Sequence, residues 1–279
     1  MNFTSSYFKT PNGTNVHFTQ TGNPTGTLIV LLHGLGGSTE TFTPLLPHLR
    51  AETHRIVCVD LEGLGKTSLS APYVTLSVTR YVDDLEYLVA SLQGTEESLL
   101  LVGHSLGGII ATQYAARHPA KVKGLALLGT GRSIASIPPA RERMLALAAK
   151  TRAEGIQAAA DTAAISNFPM TGEVAQALRD SVREAVAKSD VEGYARACEA
   201  VAALDHLDPD YARITAPTLL IAGSGDVISP PDRSFGLKEL IGDNAWVTVL
   251  DGVGHQFILQ DLDGCVGAFG TLFERVKRS

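Results

Sequence analysis

Several short stretches of the chain are mostly apolar, without regular polar alternation: Leu28–Leu32, Arg55–Val59, Ser98–Val102, Gly124–Leu128, Thr218–Ala222 and Trp246–Leu250. Runs of this kind predict strands buried on both faces, as in a parallel sheet covered by helices. Ahead of them, residues 5–10 and 15–22 predict a hairpin around Pro11-Asn12-Gly13, because Asn-Gly supplies the positive φ angles of a tight turn. The segments between the runs predict helices over 41–51, 77–93 and 106–117, with a last one over about Leu262–Arg275. Strand and helix alternating in this order imply a doubly wound α/β fold: a mostly parallel, twisted sheet with helices on both faces and right-handed crossovers.

The pattern changes between 133 and 212. This stretch is rich in Ala, Arg and Glu and holds no strand-like run. It predicts helices over Arg141–Thr151, Gly155–Ala164, Gly172–Lys188 and Asp190–Ala203, punctuated by Pro138-Pro139, Pro169 and Pro209. A helical block between strands of one sheet reads as an inserted cap over the strand ends. The expected organisation is a core of residues 1–132 and 213–279 with an all-helical cap of 133–212.

Composition narrows the class. At 279 residues and 44% apolar content, one large domain with an insertion is affordable. The net charge of −6 comes with no basic cluster, which argues against nucleic acid or an anionic membrane as partner. No apolar run approaches the ~18 residues of a membrane span. The amino-terminal stretch Met1–Ser6 lacks the apolar segment of a secretory signal. Cys58, Cys198 and Cys265 lie far apart, without metal-site spacing, and fit a reducing compartment. A cytoplasmic protein acting on a small molecule is expected.

Ligands of open α/β sheets sit beyond the carboxyl ends of the strands, so the residues that follow each strand matter most. Gly103-His104-Ser105-Leu106-Gly107 joins an apolar strand to a helix and raises a serine on a very tight turn. Asp226 follows the Thr218–Ala222 strand, and His255 follows Trp246–Leu250. Serine, aspartate and histidine are the types nucleophilic catalysis needs. A serine hydroxyl is a weak nucleophile, so His255 must take its proton, and Asp226 would orient the imidazole and stabilise its charged form. An oxyanion needs two aimed donors. The Leu106 N–H comes with the serine turn, and the Leu35 N–H lies on the loop His33-Gly34-Leu35-Gly36-Gly37. Asp60 and Asp251 compete as the acid, and Asp226 by itself could cap a turn before Ser229-Pro230-Pro231. His104 reads as a packed neighbour of Ser105, since adjacent residues on such a turn diverge.

Two nucleotide-like patterns fail. Gly65-Lys66-Thr67 resembles the tail of a phosphate-binding loop, but the position needing glycine is Asp60. Gly34-Leu35-Gly36 opens like a dinucleotide fingerprint, yet its third glycine would fall at Thr39.

On His33-Gly34-Leu35-Gly36-Gly37, Asp60–Thr67, Gly103–Gly108, Gly225-Asp226 and Gly254-His255, the chain resembles the α/β-hydrolase superfamily over nearly its whole length. It is most similar to 3-oxoadipate enol-lactonases, through Ala115–Pro119, the segment Glu192–Ala200 and Ile214–Thr218. The resemblance implies an ester- or lactone-cleaving serine hydrolase with a helical cap and no cofactor. Its pocket would be walled by Gly34, Leu35, Leu106, Phe168 and Phe257, and His33 would brace its loop. Other triad-bearing members, among them carbon–carbon hydrolases and cofactor-free haloperoxidases, use the same parts, as could a ligand receptor. One departure concerns substrate: where enol-lactonases carry an Arg-Trp-Phe-like stretch in the cap, this chain reads Ile165-Ser166-Asn167-Phe168-Pro169. Losing that guanidinium removes a charge-assisted contact to a carboxylate, so a neutral or differently shaped lactone or ester is expected unless Arg132, Arg179 or Arg196 compensates.

Overall fold

A computed structural model describes residues 3–93 and 98–278; Met1 and Asn2 of the amino-terminal stretch lie outside them. The fold is an eight-stranded sheet in the order β1-β2-β4-β3-β5-β6-β7-β8. The strands are β1 (Thr4–Lys9), β2 (Asn15–Gly22), β3 (Thr27–Leu32), β4 (His54–Val59), β5 (Leu99–His104), β6 (Val122–Leu128), β7 (Thr218–Gly223) and β8 (Ala245–Leu250). The amino-terminal hairpin is antiparallel and joins β4 antiparallel, while every pairing from β4 to β8 is parallel.

The continuous apolar runs have a simple physical origin. Successive side chains point to opposite faces, and both faces are covered. Leu28, Val30 and Leu32 of β3 and Leu99 and Leu101 of β5 enter one core. Their neighbours Ile29, Leu31, Leu100 and Val102 enter the other. Each fully buried aliphatic residue contributes about 1.5–3 kcal/mol of burial free energy. The first core is closed by α1 (Val78–Gln93) and α2 (Leu106–Arg117), and the second by the carboxyl-terminal helix (Leu262–Val276). All three cysteines are free and buried, and burial pushes their thiols up to about 12.

Between β6 and β7 the chain is helical, with α3 (Pro138–Glu154), α4 (Ile156–Ser166), α5 (Gln176–Ala187) and α6 (Val191–Ala202). Pro138-Pro139 does not break α3 but starts it, since the first helical turn needs no N–H from those residues. The helix expected over 41–51 does not form. Two 3₁₀ turns, Thr39–Phe42 and Leu46–His48, stand there, because Pro44 and Pro47 interrupt the i→i−4 ladder. A helix not foreseen, α7 (Pro231–Ile241), follows the Asp226 loop and buries Ser234, Leu237 and Ile241 at helical spacing. A short α8 (Phe257–Gln260) then precedes the carboxyl-terminal helix, α9. Among the described residues no helix is long and apolar enough to cross a membrane.

Candidate active site

Ser105 sits between β5 and α2 at φ 52°, ψ −114°. Among the described residues, only it and Arg50 are non-glycine residues with positive φ. Such a conformation costs on the order of 1–3 kcal/mol and persists where the surroundings enforce it. Here they do. A methyl group on Gly103 would lie 2.4 Å from the Gly108 Cα, and one on Gly107 would lie 2.0 Å from the Leu32 carbonyl oxygen. The Ser105 N–H is tied to the Leu128 carbonyl of β6 (2.9 Å), which fixes the turn to the sheet.

The other two residues arrive on neighbouring strand ends. Asp226 Oδ2 accepts a hydrogen bond from His255 Nδ1 at 2.7 Å. Its Oδ1 accepts the N–H groups of Ile228 (2.8 Å) and Ser229 (2.9 Å). Burial alone would raise the pKa of this carboxyl, but the His255 hydrogen bond and charge and the two amides outweigh it and hold it below the usual carboxylate value. With Nδ1 donating to the carboxylate, His255 Nε2 is the nitrogen left for a substrate-side proton. Ser105 and His255 both line one cavity of about 1020 Å³. The Ser105 hydroxyl has no hydrogen-bond partner among the described residues. The Asp226–His255 hydrogen bond is formed, and none joins Ser105 to His255 among the described residues.

The competing residues have other employment. Asp60 is 1% exposed and accepts from His17 Nδ1 (2.7 Å), the Thr39 N–H (2.6 Å) and the Lys66 N–H (2.8 Å), which organises two loops. Ser5 Oγ lies 2.8 Å from His17 Nε2, so a second serine–histidine–aspartate chain exists. Its serine lies on the extended edge strand β1, without a left-handed turn or a helix amino terminus behind it. Among the described residues, the Asp251 carboxylate accepts from Ser224 Oγ alone (3.0 Å). His104 donates from Nε2 to the His255 carbonyl (2.9 Å), and burial together with the His255 charge lowers it to about 3. It is a neutral wall behind the site. His33 donates from Nδ1 to the Gly34 carbonyl (2.7 Å) and accepts the Leu61 N–H at Nε2 (3.2 Å); it braces the loop.

Gly34 comes so close to the serine that an added methyl would lie 3.1 Å from the Ser105 Cβ. The next N–H along that loop belongs to Leu35, and the first N–H of α2 belongs to Leu106, which has no intrahelical acceptor. Both residues line the cavity, with Gly34 and Phe257. Phe168 does not. It is fully buried beneath the Arg179 guanidinium (5.2 Å from the ring centroid), and its neighbours Ser166 and Asn167 face the cavity instead. Asn167 is a positioning residue that sequence reasoning missed: its carbonyl accepts the His255 N–H (2.8 Å) and its Oδ1 accepts from Gln256 (2.7 Å). No residue-type signal announces a role exerted through a backbone carbonyl. The three arginines considered as substitutes are occupied, Arg132 by Asp208, Arg179 by the Ala164 carbonyl and Arg196 by Glu192 and the Val74 carbonyl.

A parallel sheet with an antiparallel hairpin at its edge, a serine on a strained strand–helix turn and four helices inserted after the sixth strand define an α/β-hydrolase. The chain belongs to the family described as Hydrolase_4, serine aminopeptidase S33, whose profile matches residues 23–263. It is 32% identical over 235 residues to RutD of Variovorax paradoxus (strain S110), provisionally named a carbamate hydrolase; the match covers 82% of this chain and 85% of that one. In three dimensions it is similar to the enol-lactonase of Burkholderia xenovorans LB400, with a TM-score of 0.82, 25% identity and coverage of 96% and 99%. A thermophilic esterase from Thermogutta terrifontis superposes with a TM-score of 0.84 at 23% identity, covering 99% of each chain. The protein is a hydrolase of this superfamily.

Proposed function

We propose that the protein hydrolyses a small carboxylic ester or lactone through an acyl-enzyme on Ser105, with His255 as general base and acid and Asp226 as its orienting partner. The observation that carries this reading is the convergence of the strained Ser105 turn and the 2.7 Å Asp226–His255 pair on one cavity. Substrate would bring Ser105 Oγ within about 2.6–3.2 Å of His255 Nε2. The proton passes to Nε2 as Oγ attacks the carbonyl carbon. The negative charge that develops on the carbonyl oxygen is met by the Leu35 and Leu106 N–H groups, each worth on the order of 10²–10³ in rate. Collapse breaks the ester C–O bond, and Nε2 returns its proton to the departing alkoxide. Water, deprotonated by the same nitrogen, then attacks the acyl-enzyme, and Ser105 leaves as the free hydroxyl.

For a lactone the leaving alcohol stays tethered to the acyl group, so water must outrun ring closure. The helical segment 133–212 acts as the cap in this reading, and it contributes Ser166 and Asn167 to a cavity wall that excludes bulk water. A carbamate carbonyl, suggested by the RutD relative, fits the same attack geometry and is the second substrate class to assay.

The test is release of p-nitrophenol from p-nitrophenyl valerate over many turnovers, with labelling of Ser105 by a fluorophosphonate. Ser105→Ala should remove labelling and lower kcat by several orders of magnitude while leaving the fold intact. A single turnover followed by a stable adduct would instead identify a ligand receptor.

A further inference from the structure

One half-buried cation of the cavity has no side-chain partner among the described residues. Arg233, in the first turn of α7, is half-buried and lines the cavity, and its side chain makes no hydrogen bond or ion pair among the described residues. Its guanidinium lies over the loop that follows β6: a methyl on Gly131 would be 3.1 Å from Arg233 Nη1. On the same loop, a methyl on Gly129 would be 2.9 Å from His255 Cε1. Gly129 and Gly131 are two residues apart, a Cα separation of at most about 7.6 Å. The guanidinium and the imidazole therefore border the same three-residue stretch of the loop after β6, and both line the cavity.

Ser229, two residues before α7 begins and 2% exposed, lines the same cavity, and its Oγ has no hydrogen-bond partner among the described residues. A buried hydroxyl left unpaired costs on the order of 1–3 kcal/mol and marks a place where a polar group of a ligand can repay it. Of the lining acids, Asp60 is held by His17 and two loop amides, Glu184 is exposed, and Glu40, on the loop after β3, pairs with Lys188 (3.4 Å), one strand to the other side of β5. Arg143 and Lys66, also on the cavity lining and without side-chain partners among the described residues, are exposed and solvent-screened.

We infer that Arg233 and Ser229 form an anionic subsite, and that the substrate is an ester or lactone whose acyl part ends in a carboxylate on a short arm. The inference rests on the proposed esterase reading for its turnover arm only. It replaces the expectation of a neutral substrate: the guanidinium absent from residues 165–169 is supplied by the core, from α7. Two strand spacings separate β5 from β7, roughly 10 Å, which suits a short dicarboxylic half-ester reaching from the serine to the α7 side. A half-buried guanidinium holds a carboxylate by charge-assisted hydrogen bonds that water screens weakly.

The experiment compares mono-p-nitrophenyl glutarate with p-nitrophenyl valerate, which has the same acyl length without the charge, after subtracting spontaneous release. Wild type should favour the glutarate ester. In Arg233→Ala and Arg233→Gln the glutarate-to-valerate ratio of kcat/KM should fall about 10- to 100-fold, the scale of one hydrogen bond to a charged group, mainly through KM. Arg233→Lys should restore part of it, and Ser229→Ala should lower it about 3- to 10-fold. In parallel, calorimetric titration of glutarate into the Ser105→Ala protein should show binding that weakens at least about 10-fold on adding Arg233→Gln. A ratio within threefold of wild type in folded Ala and Gln variants, or glutarate binding indifferent to residue 233, overturns the subsite. If neither ester turns over but glutarate binding depends on Arg233, the esterase reading falls and the subsite stands.

Discussion

Ser105, Asp226 and His255, the residues of the proposed triad, are each held in place by backbone contacts. The serine is forced into a left-handed conformation by glycines that admit no side chain. The aspartate is clamped by two amides and the histidine loop by the Asn167 carbonyl. Asp226→Asn should lower kcat about 10⁴-fold by permitting the wrong imidazole tautomer. Asp251→Asn should stay within about threefold, because Asp251 touches Ser224 and not His255. Steady-state kinetics of the two variants decides the assignment, and the reverse order would make Asp251 the acid. Both aspartates stand near a strand end in the sequence, so residue type alone left the choice open; the hydrogen bond at 2.7 Å distinguishes them.

At the scale of elements, the inserted helices meet the core along a backbone seam. A methyl on Gly193, in α6, would lie 2.0 Å from the Gly63 carbonyl oxygen on the loop after β4. Gly193→Ala should destabilise the protein by about 1–3 kcal/mol through overpacking, a drop of several degrees in Tm by calorimetry. An unchanged Tm would mean that the seam yields freely. The Gly193-Tyr194 segment carried part of the family likeness in the sequence, but its contact with Gly63 depends on a loop 130 positions earlier. The run at 41–51 failed as a helix for a local reason, the two prolines, and that was legible. The start of α7 was not. Its Pro-Pro opening reads equally well as a turn, and only burial of Leu237 and Ile241 against the sheet settles it as helix.

Across the whole molecule, pH acts through buried carboxyl groups whose pKa values are shifted in opposite directions. Burial would raise Glu62, but Arg80 (2.6 Å), Ser70 and Thr14 outweigh it and lower its pKa. A carboxyl with a depressed folded pKa contributes stability above its unfolded value, and that contribution is lost as pH falls through the folded one. Glu62→Gln should therefore lower Tm at pH 7, by about 1.5–3 kcal/mol in stability, and the gap from wild type should close below about pH 4. Asp84 is the reverse case. It is 5% exposed, its Oδ2 has no partner, and burial raises its pKa. Its ionisation in the unfolded chain above about pH 4 works against folding, so Asp84→Asn should raise Tm at pH 7 and lose its advantage in acid. Thermal melts of both variants between pH 3 and 8 check the two signs, and parallel curves would refute both.

By itself the order of residues determined the sheet, the serine turn and the ranking of candidate catalytic residues, because strand burial, helix periodicity and tight-turn glycines are local constraints. Strand ends supply the reacting groups, so their chain order already implied a common edge. Only the tertiary structure decided which half-buried arginine of the cavity lacks a partner among the described residues, which aspartate reaches the imidazole, and that Phe168 lies beneath the wall while Asn167 holds the histidine loop. Those outcomes depend on contacts between segments tens of residues apart, where hydrogen-bond distance and burial select among side chains that look equivalent in the sequence.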